Sequence, residues 1–173
     1  MKSLTVFCGA RPGKNEKYLE LAKALGDQLA QRKITLIYGG ASCGLMGAVA
    51  DSALAAGGEV VGVIPKSIIE LEVAHESLPN LHVVENMHKR KEMLYDLGDA
   101  AVLIPGGSGS MDEFFEFLVW KKIGIHKKPL ILVNAHGYFD PLLNLLDHMA
   151  KEEFMDTKDM DHIRVVKSID QIW

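Results

Sequence analysis

The sequence predicts an α/β fold, a Rossmann-like doubly wound parallel sheet with helices on both faces, and three observations lead there. Short apolar runs alternate with segments of helical length along the whole chain. Three of those runs are followed by glycine-bearing turns, at residues 9–13, 39–47 and 106–109. The run at residues 100–104, Ala-Ala-Val-Leu-Ile, carries no charge, as expected of a strand buried on both faces of a parallel sheet. In such sheets the crossovers are right-handed, and ligands sit in the crevice outside the carboxyl ends of the strands. The three glycine turns all occupy that edge, so they are expected to converge on one pocket.

Each element has its own signal. Residues 4–8 read as the first strand, and the turn 9–13 leads to a helix whose Tyr18, Leu21, Ala22, Leu25 and Leu29 recur at helical spacing. Residues 34–38 give the second strand, followed by an alanine-rich helix that stops near Gly57 and Gly58. Residues 60–64 form a third strand closed by Pro65, and after an irregular stretch a short strand falls at 81–84. Asn86 is placed to cap a helix running to about Leu97. The strand at 100–104 and a helix follow, then a strand at 130–133. Asp140 and Pro141 read as N-cap and first residue of a helix through Met149, with a last strand at 164–166.

Composition sets the outer bounds. At 173 residues, with 48% hydrophobic and 24% charged residues, the chain is expected to be a single domain, residues 1–173, with a full core. A net charge of −4 disfavours a broad nucleic-acid surface, though a local basic pocket for one phosphate is compatible with it. The apolar run at the amino terminus is too short for a signal peptide or a membrane span, and no later run reaches about eighteen apolar residues. The expectation is a cytoplasmic protein, with Cys8 and Cys43 as reduced structural thiols.

The stretch of most chemical interest is the turn Pro105-Gly106-Gly107-Ser108-Gly109-Ser110. Glycines let a backbone approach a guest closely, and the free N–H groups and positive dipole end of the helix that follows suit a phosphate. Ser110 and Glu113 also fit a capping box, in which the two side chains satisfy each other's backbone donors. Taken alone, the first turn is read as mere chain geometry. The second and third together point to a small phosphorylated ligand.

Neither the G-x-G-x-x-G dinucleotide fingerprint nor a phosphate-loop lysine is present, so NAD binding and triphosphate hydrolysis lack support. On the helix after Asn86, Arg90 falls on the same face as Met87, Leu94 and Leu97. Either its aliphatic stem packs while the head snorkels outward, or it lines a pocket and clamps an anion. The seven histidines show no metal-ligand spacing, and no serine nucleophile has a base beside it. No metal is expected.

The segment Met87-His88-Lys89-Arg90-Lys91, taken with Pro105-Gly106-Gly107-Ser108-Gly109-Ser110-Met111-Asp112-Glu113, resembles the paired motifs M-H-x-R-K and P-G-G-x-G-T-x-x-E of the Lonely Guy family. These enzymes are cytokinin riboside 5′-monophosphate phosphoribohydrolases, long labelled lysine decarboxylases. The similarity extends through Tyr38-Gly39-Gly40, Gly44-Leu45-Met46-Gly47, Gly124-Ile125-His126 and Lys128-Pro129, nearly the whole chain. Departures are Ser110 for the usual threonine, where the hydroxyl survives, Ala41 where a third glycine is common, and Ala10 where serine is common.

The resemblance implies catalytic roles for Arg90 and Glu113. It implies substrate contacts at Glu72, Lys91, Gly106, Gly107, Ser108, Gly109, Ser110, Met111 and Asp112. It further implies no cofactor, a nucleotide monophosphate as small-molecule partner, no nucleic-acid polymer, no membrane, and a homodimer. The implied reaction hydrolyses the bond between adenine N9 and ribose C1′ of AMP or an N6-prenylated AMP. Its rivals are a nonenzymatic nucleotide or molybdenum-cofactor carrier on the same scaffold, and a decarboxylase for which no lysine stands in a recognisable pyridoxal phosphate site.

Overall fold

A computed structural model describes residues 1–69 and 73–173. Seven strands form one parallel sheet: β1 (Ser3–Phe7), β2 (Thr35–Tyr38), β3 (Val60–Pro65), β4 (Asn80–Val84), β5 (Ala100–Leu103), β6 (Leu130–Val133) and β7 (Ile163–Val166). Their order across the sheet is β4-β3-β2-β1-β5-β6-β7. The chain starts in the middle, winds outward to β4, returns to pair β5 against β1 with Leu4 opposite Ala100, and winds out the other way. Among the described residues, five α-helices cross between strands: α1 (Glu16–Gln31), α2 (Gly44–Ala55), α3 (Met87–Leu97), α4 (Ser108–Lys122) and α5 (Asp140–Lys151).

Side-chain alternation along the strands sorts the core into two layers. Leu4, Val6, Leu36, Tyr38, Val102 and Ile104 face α1 and α2. Phe7, Ile37, Ala101 and Leu103 face Leu94 of α3, Phe114 and Phe117 of α4 and Leu146 of α5. Burying both faces requires the uncharged central strands seen in the sequence, and every residue of β5 and β6 is buried.

Strand and helix ends differ from expectation by a residue or so. β1 stops at Phe7, which leaves Cys8 at the head of the following loop. At α5 the cap is Phe139 and Asp140 is already helical. The Asp140 carboxylate instead accepts a bond from Asn134 Nδ2 at 2.7 Å. In the irregular stretch after β3, a short 3₁₀ turn covers Lys66–Ile68. His75 then pins the chain to α2 through Nε2 to Asp51 at 2.9 Å, while its backbone N–H donates to the Gly40 carbonyl, also at 2.9 Å.

Candidate active site

The strand order reverses between β1 and β5, so the loops that follow these two strands depart to opposite faces of the sheet and leave a crevice at their carboxyl ends. A cavity of about 920 Å³ occupies it. Residues 9–14 form one wall, Pro105 to Ser110 with Asp112 and Glu113 another, and Leu45, Met46, Met87 and Arg90 close the remainder. All three glycine turns contribute, but with different duties.

The third turn is an open helix start. α4 is capped by Gly107, whose backbone is extended and which offers no side-chain bond, so helical geometry begins at Ser108. Ser110 therefore lies inside the first turn, and the expected capping box of Ser110 with Glu113 does not form, because neither residue is at the cap. Backbone N–H groups in a first helical turn have no intrahelical acceptor, and those of Ser108, Gly109 and Ser110 head a helix whose first residues line the cavity. That is the arrangement that receives an anion.

The second turn has other work, contrary to the expectation that it joins in holding phosphate. The first amides of α2, Leu45 and Met46, donate to the Gly9 carbonyl at 2.9 and 3.3 Å, and Ser42 N–H donates to Val73 at 2.9 Å. What its glycine provides is room. Arg90 Nη2 donates to the Gly39 carbonyl at 3.2 Å, and a Cβ on Gly39 would lie 2.1 Å from that nitrogen. Arg90 is only 4% exposed, so the snorkelling alternative is excluded: its guanidinium is drawn inward to the cavity wall.

Glu113 lines the same cavity from α4. Cys8 lines the cavity as well, and its thiol is pushed well above its ordinary range by burial, further raised by the Glu113 carboxylate and partly offset by the Arg90 guanidinium. Arg90 and Glu113 thus line one cavity and both charges act on the same buried thiol. The first turn, read from sequence as mere geometry, brings two exposed cations, Arg11 and Lys14, to the cavity rim.

The other residues singled out in the sequence divide. Gly106, Gly107, Ser108, Gly109, Ser110 and Asp112 line the cavity. Lys91 does not; its ammonium bridges from α3 to Asp112 at 3.3 Å and Glu116 at 3.1 Å on α4. Met111 packs into the core layer under α4. Glu72 lies outside the described residues. Tyr18, read from sequence only as part of a helix's apolar face, and Tyr138, absent from that reading, form part of the rim with ring centroids 5.2 Å apart.

Residues 46–173 match the family model described as possible lysine decarboxylase. A cytokinin riboside 5′-monophosphate phosphoribohydrolase of Rhodococcoides fascians is 48% identical over 170 residues, 98% of this chain and 86% of the relative. The chain belongs to the Lonely Guy family. Another family member, phosphoribohydrolase LOG7 of Arabidopsis thaliana, is 40% identical over 154 residues, 89% of this chain and 71% of its own length. Among solved structures, the molybdenum cofactor carrier protein of Chlamydomonas reinhardtii superposes with a TM-score of 0.71 at 19% identity, covering 98% of this chain and 92% of that one. The molybdenum cofactor binding protein of Rippkaea orientalis does so with a TM-score of 0.74 at 19% identity, over 99% and 93%. At that identity the likeness extends to the fold. Within the Lonely Guy scaffold, the helix start at Gly107 and the glycine that admits Arg90 are both matched by residues quoted from the family's motifs.

Proposed function

We propose that the chain is a hydrolase that cleaves the N-glycosidic bond of adenine nucleoside 5′-monophosphates, AMP or N6-prenylated AMP, to free base and ribose 5-phosphate. The observation that carries this reading is a buried arginine and a carboxylate lining one cavity with a helix start that no side chain caps. The names of relatives at 40–48% identity point the same way.

In this reading the 5′-phosphate sits over the amides of Ser108, Gly109 and Ser110 with the Ser110 hydroxyl, and Arg11 and Lys14 draw the dianion to the rim. Anchoring the phosphate fixes C1′ relative to the two charged groups, so binding energy far from the reacting bond orients it. As the C1′–N9 bond breaks, its electron pair leaves with the base and the sugar becomes an oxocarbenium-like cation. Glu113 stabilises that cation and takes a proton from the water that attacks C1′; a proton is returned to the departing base. Arg90, permanently charged, balances negative charge developing on the base or holds Glu113 in place. Lys91 acts at one remove, by holding Asp112 against the cavity.

The decarboxylase description of the family fits less well. A Schiff-base lysine is activated by desolvation, whereas Lys14, on the cavity rim, is exposed. The proposal extends to a cytoplasmic homodimer. Val119, Ile123 and Ile125 are 48, 63 and 61% exposed at the end of α4, an apolar strip suited to a second copy, and the two cysteines are not joined in a disulfide.

Incubation with AMP and N6-isopentenyl AMP tests the activity directly, with free base and ribose 5-phosphate as the expected products. Arg90→Ala and Glu113→Gln should each lower kcat by about two to four orders of magnitude; Glu113→Gln should keep a native unfolding temperature, whereas Arg90→Ala also loses the buried bond to the Gly39 carbonyl and with it about 1.5–3 kcal/mol of stability. Intact nucleotide recovered from a tight complex would make the protein a carrier.

A further inference from the structure

The loop that heads α4 has a tether from a distant part of the chain. Tyr138 Oη donates a hydrogen bond to the Gly106 carbonyl at 2.7 Å, across 32 residues of sequence. The segment that delivers Tyr138 follows β6 and contains two consecutive left-handed residues, His136 at φ 57° and Gly137 at φ 72°. A non-glycine residue in that region is uncommon and persists only where its surroundings enforce it. Here they do. Asn134 Oδ1 accepts from Phe139 N–H at 2.8 Å, Asn134 N–H donates to the Val166 carbonyl at 2.7 Å, and the Tyr138 ring meets Tyr18 edge-on.

We infer that Tyr138 is a positioning residue for phosphate binding: its hydroxyl fixes the peptide between Gly106 and Gly107, the cap of α4, and so sets the entry to the amides of Ser108, Gly109 and Ser110 that receive the anion. The peptide is planar and trans, so holding the Gly106 carbonyl sets the direction of the Gly107 N–H on the same plane. Both flanking residues are glycines: a Cβ on Gly106 would lie 2.2 Å from Ser110 Oγ, but one on Gly107 would meet nothing within 4 Å, so on the helix side no packing holds this peptide. A carbonyl turned toward an anion would repel it. The tyrosine donor keeps that oxygen engaged and leaves the following helix start pre-organised before ligand arrives.

This inference rests on the phosphate sitting at the head of α4, as proposed above. Tyr138→Phe removes the hydroxyl and keeps the ring contacts. By calorimetry, the Kd for ribose 5-phosphate should rise about tenfold, the worth of one well-placed hydrogen bond. The Kd for adenine should stay within about twofold, and the unfolding temperature within about 4 °C. In turnover assays KM should rise with the ribose 5-phosphate Kd. An unchanged Kd for ribose 5-phosphate overturns the inference, and so does an equal loss for both ligands, which would mark the tyrosine as merely structural. If the wild-type protein released no base, the hydrolase reading would fail, yet ribose 5-phosphate binding would still report on Tyr138.

Discussion

Replacing Gly39 by alanine adds one methyl group at the point where Arg90 enters the cavity wall. That carbon would lie 2.1 Å from Arg90 Nη2, 3.2 Å from Cζ and 2.8 Å from Met46 Sδ. Non-bonded atoms settle at about 3.5 Å, so the guanidinium has to withdraw by roughly 1 Å or more. The withdrawal breaks the bond to the Gly39 carbonyl, a charged donor whose loss costs about 1.5–3 kcal/mol. A misplacement of that size in a group acting on the transition state costs about a hundredfold in rate. The assay is kcat on a nucleoside 5′-monophosphate for the wild type, Gly39→Ala, Arg90→Ala and the double variant. If Gly39 matters because it makes room for Arg90, the alanine should add almost nothing once Arg90 is gone. Full kcat in Gly39→Ala, or the same loss in both backgrounds, would refute the reasoning.

Lys91→Met should lower stability by about 1 kcal/mol, since Asp112 is largely solvated and Glu116 only partly, and should raise KM severalfold as Asp112 loosens; chemical denaturation and steady-state kinetics read the two effects. Cys8 should resist a thiol reagent in the folded protein while Cys43, less buried, reacts first; fast labelling of Cys8 would contradict its place beneath the cavity. Burial raises Cys8, Tyr38 and Tyr95 above their ordinary values, so all three stay neutral in the fold while the unfolded chain ionises. Their contribution is complete below the unfolded values and is lost as pH rises past about 8.5 for the thiol and about 10 for the phenols. Denaturation midpoints should therefore fall across pH 8.5–11, and flat midpoints there would count against it.

The sheet was legible because central strands of a parallel sheet must be apolar on both faces, and the runs at residues 100–104 and 130–133 announce that without any other context. Arg90 was legible as a cation where an apolar residue was due, whereas the spacing of Glu113 read as a capping box and only the family resemblance singled it out for the site. The capping box misled because its spacing is satisfied while the helix starts two residues earlier, at Ser108, under a glycine cap that sequence does not distinguish from a loop. The second glycine turn looked like an anion cradle because composition reveals backbone freedom but not which acceptor the amides have found. Tyr138 left no trace, since its partner is a carbonyl 32 residues away.

The Gly9 carbonyl, held by two amides of α2, limits what the crevice can neutralise. Of the starts of α2 and α4, which both line the cavity, the first has two amides already taken by the protein's own main chain. A ligand bridging both with a pyrophosphate would set its second anionic group against a carbonyl dipole, whereas a single phosphoryl group meets the free amides alone. With the phosphate at the head of α4 as proposed, the backbone itself would favour one phosphoryl group over two, and substitution of surface cations would weaken attraction without changing that count.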